Sequence, residues 1–188
     1  MKLLYHVSEV CGLTVLKPKV SSHGKAYVYA IENLVAGLLF GAKWDDFDFL
    51  MTNDEAGRPV LYECYLDAFE GKYAGKSCSV YEVEEAGFQK GVTGWEPELV
   101  CEREVPVQRE VAIDDLHDRL LVEEIQGNLI LHRYRDEIPY KRRIAEHIVD
   151  RLIRFDALGR LETDERFRKH YGRIIGALRA AMDGHLLD

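Results

Sequence analysis

The chain has 188 residues with 47% apolar, 10% aromatic and 31% charged content, which supplies one globular domain with a core plus an accessory segment and excludes a disordered chain. Its net charge of −8 excludes a general polyanion binder, because no overall positive field draws phosphates in, and leaves nucleic acid only a local patch. Cys11, Cys64, Cys78 and Cys101 form no CxxC pair, so no zinc knuckle or redox motif is encoded locally, and a reduced, cytoplasmic chain is expected.

At the start of the chain, one lysine is followed within a few residues by His6 and Glu9, too early for the apolar stretch of a signal peptide. Leu4–Ser8 therefore reads as the first strand of the fold. His23–Ala30 reads as a turn feeding a second strand, and Glu32–Phe40 as a helix with Leu34, Leu38 and Leu39 at helical spacing. The apolar run from Leu34 to Ala42 is about nine residues, roughly half of a bilayer crossing, so no membrane partner is expected. Phe47–Met51, the turn cluster Asn53–Pro59 and Val60–Leu66 read as a hairpin. Cys78–Val83, Leu99–Val107 and Val111–Ile113 add strands. Asp114 is expected to cap a helix running to Ile125 with Leu116, Leu120 and Leu121 on one face, and Gly127-Asn128 precedes a last apolar run, Leu129–Leu131.

Charge divides the chain. Residues 1–138 hold 14 basic and 25 acidic side chains, whereas residues 139–188 hold 11 and 8. Pro139 suits the first turn of a helix carrying Ile144, Ile148 and Leu152, and a second stripe runs from Phe167 to Met182. The expected architecture is α+β: a domain over 1–138 and a C-terminal helical pair over 139–188 packed on it. The arginines of the pair, Arg142, Arg143, Arg151 and Arg154 among them, read first as a solvated face. Their positive balance also suits the acidic front of the same chain, a partner or a nucleic acid.

Three strings bear on chemistry. In Tyr5-His6-Val7-Ser8, period-two alternation sets the imidazole and the hydroxyl on one face, where both can hydrogen-bond a ribose diol. In Lys25–Ala30, Tyr27 and Tyr29 share a face and offer rings to a flat heterocycle. In Glu98–Val105, Glu98 precedes the apolar pair Leu99-Val100, so its carboxylate opens a core strand and can stabilise developing positive charge; Glu102 and Glu104 are rivals for that role. Taken singly, each string reads more readily as a satisfied core histidine, packed tyrosines and a solvated acidic face.

Taken in order, the strings resemble the catalytic core of the ADP-ribosyltransferase superfamily in its His-Tyr-Glu branch, the group of the rifampin ADP-ribosyltransferases and poly(ADP-ribose) polymerases. Tyr5-His6-Val7-Ser8 is similar to that branch's Tyr-His-Gly-Thr strand, Val28-Tyr29-Ala30 to its Val-Tyr-Phe-Thr strand, and Glu98–Val105 to its late Glu-leading strand. The resemblance covers roughly residues 3–113. It implies two small packed sheets with peripheral helices and a cleft for NAD as substrate. His6 would hold the adenosine-side ribose with Ser8 supporting its strand, Val7 would offer its backbone to the carboxamide, and Tyr29 would stack on nicotinamide. Glu98 would bind the nicotinamide ribose and favour its oxocarbenium-like transition state. Val7 departs from the branch's glycine, Ser8 replaces threonine, Cys101 stands where serine is common, and a register shift of four would put Glu102 in the place of Glu98.

The implied reaction is transfer of ADP-ribose from NAD to an acceptor: protein, nucleic acid, small molecule or water. An RNA 2′-phosphotransferase-like activity uses the same cleft and needs bases for the phosphate, for which Lys17, Lys19 and Lys25 are at hand. A non-catalytic binding module with a degenerate cleft is the reading outside the enzymes. No HExxH, GxGxxG or GxxxxGK[ST] occurs, so metal, Rossmann and P-loop chemistry is not expected.

Overall fold

Alternation of apolar and polar residues in the first half of the chain produces strands, and these strands organise the molecule. The computed structural model describes residues 2–20, 25–44, 48–93, 97–155, 163 and 165. The elements run β1 (Leu3–Ser8), β2 (Val15–Leu16), β3 (Lys19–Val20), β4 (Ala26–Ile31), α1 (Leu34–Leu38), a 3-10 turn (Leu39–Gly41), β5 (Phe49–Asn53), β6 (Pro59–Glu63) and α2 (Ala68–Tyr73). After these come β7 (Cys78–Glu84), β8 (Gln89–Lys90), β9 (Glu98–Cys101), β10 (Val105–Pro106), β11 (Arg109–Ile113), α3 (Leu116–Ile125), β12 (Ile130–His132) and α4 (Ile138–Phe155). The fold is α+β. Where two small sheets were expected there are three: a seven-stranded sheet of order β11-β7-β1-β4-β9-β8 with β3 on β4, the ribbon β10-β2, and the sheet β12-β6-β5. No helix of the described residues is long and apolar enough to cross a membrane.

Contacts group the chain into two compact units that do not follow a single cut in sequence. The first comprises residues 1–43, 53–59 and 70–130. Its core lies on one face of the large sheet, where Leu4, Val28, Ala30, Val83 and Leu99 meet Leu16 and Val105 of the β2-β10 ribbon. The opposite face carries α1 and the fully buried Leu116 and Leu120 of α3. Gly41 allows a close approach there, since a Cβ would lie 2.8 Å from Cys78 Sγ and 2.9 Å from Leu116 Cδ2. Asp54 organises the turn after β5, its Oδ1 accepting from the amides of Ala56 (3.0 Å) and Arg58 (2.9 Å).

The second unit comprises residues 44–52, 60–69 and 131–188. The buried Asp48 carboxylate accepts from the Tyr65 hydroxyl at 2.8 Å. Glu63, 1% exposed, accepts the Phe69 amide on one oxygen and the Tyr134 amide on the other, both at 2.7 Å. Burial pushes the neighbouring Cys64 thiol well up. The ring of Tyr62 stacks on His132 with centroids 4.2 Å apart. Pro139 lies in the first turn of α4, as its geometry favours. The second helix of the expected pair, Phe167–Met182, lies outside the described residues.

The sequence reading placed the cap of α3 one residue early. Asp115, not Asp114, has extended backbone angles and accepts from the Asp118 amide at 2.9 Å. The helix accordingly starts at Leu116, whose full burial anchors the first turn. Asp115→Ala therefore lowers stability by about 1 kcal/mol, as loss of such a cap does, whereas Asp114→Ala has less than about half that effect; urea unfolding of the two variants separates them.

Candidate functional site

A site forms where neighbouring strands of the large sheet part. β1 pairs with β7 along its whole length, from Leu3 opposite Glu84 to Ser8 opposite Ser79. Towards β4 it pairs at one position, Tyr5 opposite Ile31. β4 itself pairs with β9 over four positions, from Val28 opposite Cys101 to Ile31 opposite Glu98. Tyr5, Ile31 and Glu98 thus form a row across three strands. Beside that row the strands open, and the His6 ring spans the opening, with Nδ1 2.8 Å from the Tyr29 carbonyl.

This contact sets the chemistry of the imidazole. A carbonyl can only accept, so Nδ1 carries the proton and Nε2 of the neutral ring is left as an acceptor. Burial lowers the His6 pKa below its ordinary value of 6.5, outweighing the Tyr29 carbonyl, which raises it, and the Lys19 charge acts in the same direction as burial. The ring is therefore held neutral.

A pocket of about 190 Å³ lies at the opening, lined by His6 and Val7 of β1, Tyr29 of β4, Glu98 of β9, and Gly37 and Phe40. The three candidates for chemistry, His6, Tyr29 and Glu98, share this one hollow. Each is half-buried, so each meets both core and solvent. Glu98 holds the first position of β9, and Leu99 and Val100 behind it are each 2% exposed. The carboxylate is thereby set at the edge of the core.

Other candidates fall elsewhere. Ser8 accepts from the Val10 amide at 3.1 Å and does not line the pocket, so its place is in the turn after β1. Tyr27 is buried and meets Tyr29 edge to face, with centroids 5.9 Å apart, as packing rather than as a second ring in the hollow. Glu102 is exposed and paired with Lys25 at 2.6 Å, and Glu104 is exposed and paired with Lys17 at 3.4 Å. Neither rival carboxylate reaches the pocket that Glu98 lines. Val7 does line it.

Gly37 and Phe40 escaped the sequence reading because the apolar run from Leu34 reads as a packing stripe. A glycine within that helix was the available signal, since it costs stability unless something must come close. At Gly37 a Cβ would lie 2.9 Å from Ile31 Cγ2 and 3.3 Å from Val7 Cγ2. The bare backbone lets α1 lie against the opening, and it brings Phe40, 44% exposed, to the pocket wall. Asp115, His117 and Asp118 are close enough together to ring a cation, but Asp115 is engaged as a helix cap and none of the three lines the pocket.

Comparison with protein-family models, curated proteins and solved structures gives no match.

The depressed pKa of His6 has a definite consequence for stability. Below about pH 6.5 the unfolded chain takes up the imidazole proton first, so the folded state loses stability as pH falls through the folded pKa; above that range the group makes no difference. Urea unfolding at about pH 7.5 and about pH 5.5 is expected to show a larger acid loss for the wild type than for His6→Gln. Equal losses would assign the pH dependence to other groups.

Proposed function

We propose that the opening between β1 and β4 binds the nicotinamide riboside end of NAD and that the protein transfers ADP-ribose from it to an acceptor. The observation supporting this reading is that His6, Tyr29 and Glu98, drawn from three strands, line one pocket. The hollow, about 190 Å³, is smaller than the roughly 300–1,000 Å³ of sites that enclose whole ligands. It suits one end of a dinucleotide with the rest lying along the surface. Of the three lysines that a 2′-phosphotransferase could use, Lys17 and Lys25 are held by Glu104 and Glu102, while Lys19 is exposed and its charge acts on His6.

In this mechanism the Tyr29 ring stacks on nicotinamide, and Nε2 of the neutral His6 accepts a hydrogen bond from a hydroxyl of the adenosine-side ribose. Glu98 accepts from the 2′-hydroxyl of the nicotinamide ribose. The glycosidic C–N bond breaks heterolytically, its electron pair leaving with the pyridinium nitrogen, so that nicotinamide departs neutral and the positive charge moves to the ribose. The Glu98 carboxylate stabilises that charge, which exists only near the barrier, so its effect falls on turnover more than on binding. The acceptor then bonds to C1′ and gives up its proton to Glu98 or to water. Val7 narrows the pocket with its side chain while its backbone amide and carbonyl stay available to the carboxamide.

Incubation with NAD should release nicotinamide, measurable by chromatography. Glu98→Gln should lower kcat by about 10²–10³-fold, the scale of losing one preorganised electrostatic group, while NAD affinity stays within about threefold. Failure of the wild type to bind NAD in calorimetry, or undiminished release by Glu98→Gln, would overturn the reading.

A further inference from the structure

A second cavity of about 320 Å³ lies elsewhere in the first unit, at the end of β7 and β9, and has no part in the chemistry above. Its lining includes Arg103 and Glu84, with Gln108 and Glu104 beside them and Ala86 and Val105 as apolar wall. Its size falls within the range of small-molecule sites.

Four exposed lysines of the first unit find carboxylates, Lys2 with Glu32 and Glu85, Lys17 with Glu104, Lys25 with Glu102 and Lys90 with Glu32, whereas Lys19, Lys43 and Lys76 make no ion pair among the described residues. Among the described residues, Arg103 makes no hydrogen bond or ion pair, and Glu84 has no cation, accepting only from the Gln108 amide at 3.3 Å. An arginine and a half-buried glutamate therefore line one cavity and do not pair with each other.

The position of the guanidinium is built by its surroundings. Gly87, in the turn after β7, has a φ of +93°, and a Cβ there would lie 2.7 Å from Arg103 Nη2. The guanidinium thus rests on a bare stretch of backbone that any larger residue would obstruct. Its planar fork matches a carboxylate with two parallel hydrogen bonds. A dianion such as phosphate is opposed by Glu84 at the wall, and a plain cation by Arg103. A ligand bearing both signs satisfies both ends.

We infer that this cavity binds a small zwitterion of the α-amino acid type, its carboxylate on Arg103, its ammonium on Glu84 and an aliphatic side chain against Ala86 and Val105. This assignment is independent of NAD chemistry at the other pocket.

Calorimetry of the full chain with glycine, L-alanine and L-leucine tests it. L-leucine should bind best. Leucinamide, which lacks the carboxylate, and 4-methylpentanoate, which lacks the amine, should each bind at least about tenfold more weakly. Arg103→Gln should weaken leucine binding by at least about tenfold, and Arg103→Lys, which keeps the charge and loses the fork, should also weaken it. Arg103 is exposed, so both variants should keep the wild-type unfolding temperature without ligand. Absence of binding by all three amino acids, wild-type affinity in Arg103→Gln, or tighter binding of inorganic phosphate than of leucine would overturn the inference.

Discussion

Between β1 and β4 the backbone ladder consists of one residue pair, Tyr5 with Ile31, although both strands continue beyond it. Two neighbouring strands that stop exchanging hydrogen bonds leave donors and acceptors that must be met by other groups. Here the His6 ring meets the Tyr29 carbonyl, and that contact fixes the tautomer of the imidazole as well as its place. The outer pairings, β1 with β7 and β4 with β9, are complete through this region. The opening is therefore held from both sides by rigid ladders, and whatever enters it meets groups whose positions are already set.

The two cavities share strand β9. Along β4, Val28 and Ala30 enter the core beneath the β2-β10 ribbon, whereas Tyr29 and Ile31 alternate to the face carrying α1. Cys101 and Val105, which wall the Arg103 cavity, belong to that ribbon-side core. Strand β9 thus contributes to both, through Glu98 at its start and Cys101 at its end. The surface ion pairs between them contribute little to stability, being exposed and screened. They do remove Glu102 and Glu104 from competition with Glu98.

What the sequence made legible follows from how local each signal is. The strand at Cys78–Glu84 and the hairpin around Asn53–Pro59 rest on alternation and turn residues that need no distant partner. The order of the histidine, tyrosine and glutamate strings located the residues that share the pocket. Helix α2 was missed because it is short and follows Asp67, whose φ of 59° is a conformation that composition does not signal. The cap of α3 was misplaced by one because Asp114 and Asp115 are chemically identical, and the choice depends on which backbone is extended. Gly37 shows in the sequence only as a glycine within a helix, and what it makes room for, two side chains from different strands, belongs to tertiary structure.

Glu63 binds two stretches of backbone that are synthesised far apart: the Phe69 amide six residues on and the Tyr134 amide 71 residues on. A buried carboxylate with one of these donors missing is costly. The second of these donors becomes available to a nascent chain only when residue 134 has been made. The second unit is in this sense a late assembly, its early half waiting on its late half, and premature burial of the hairpin is disfavoured by its own charge.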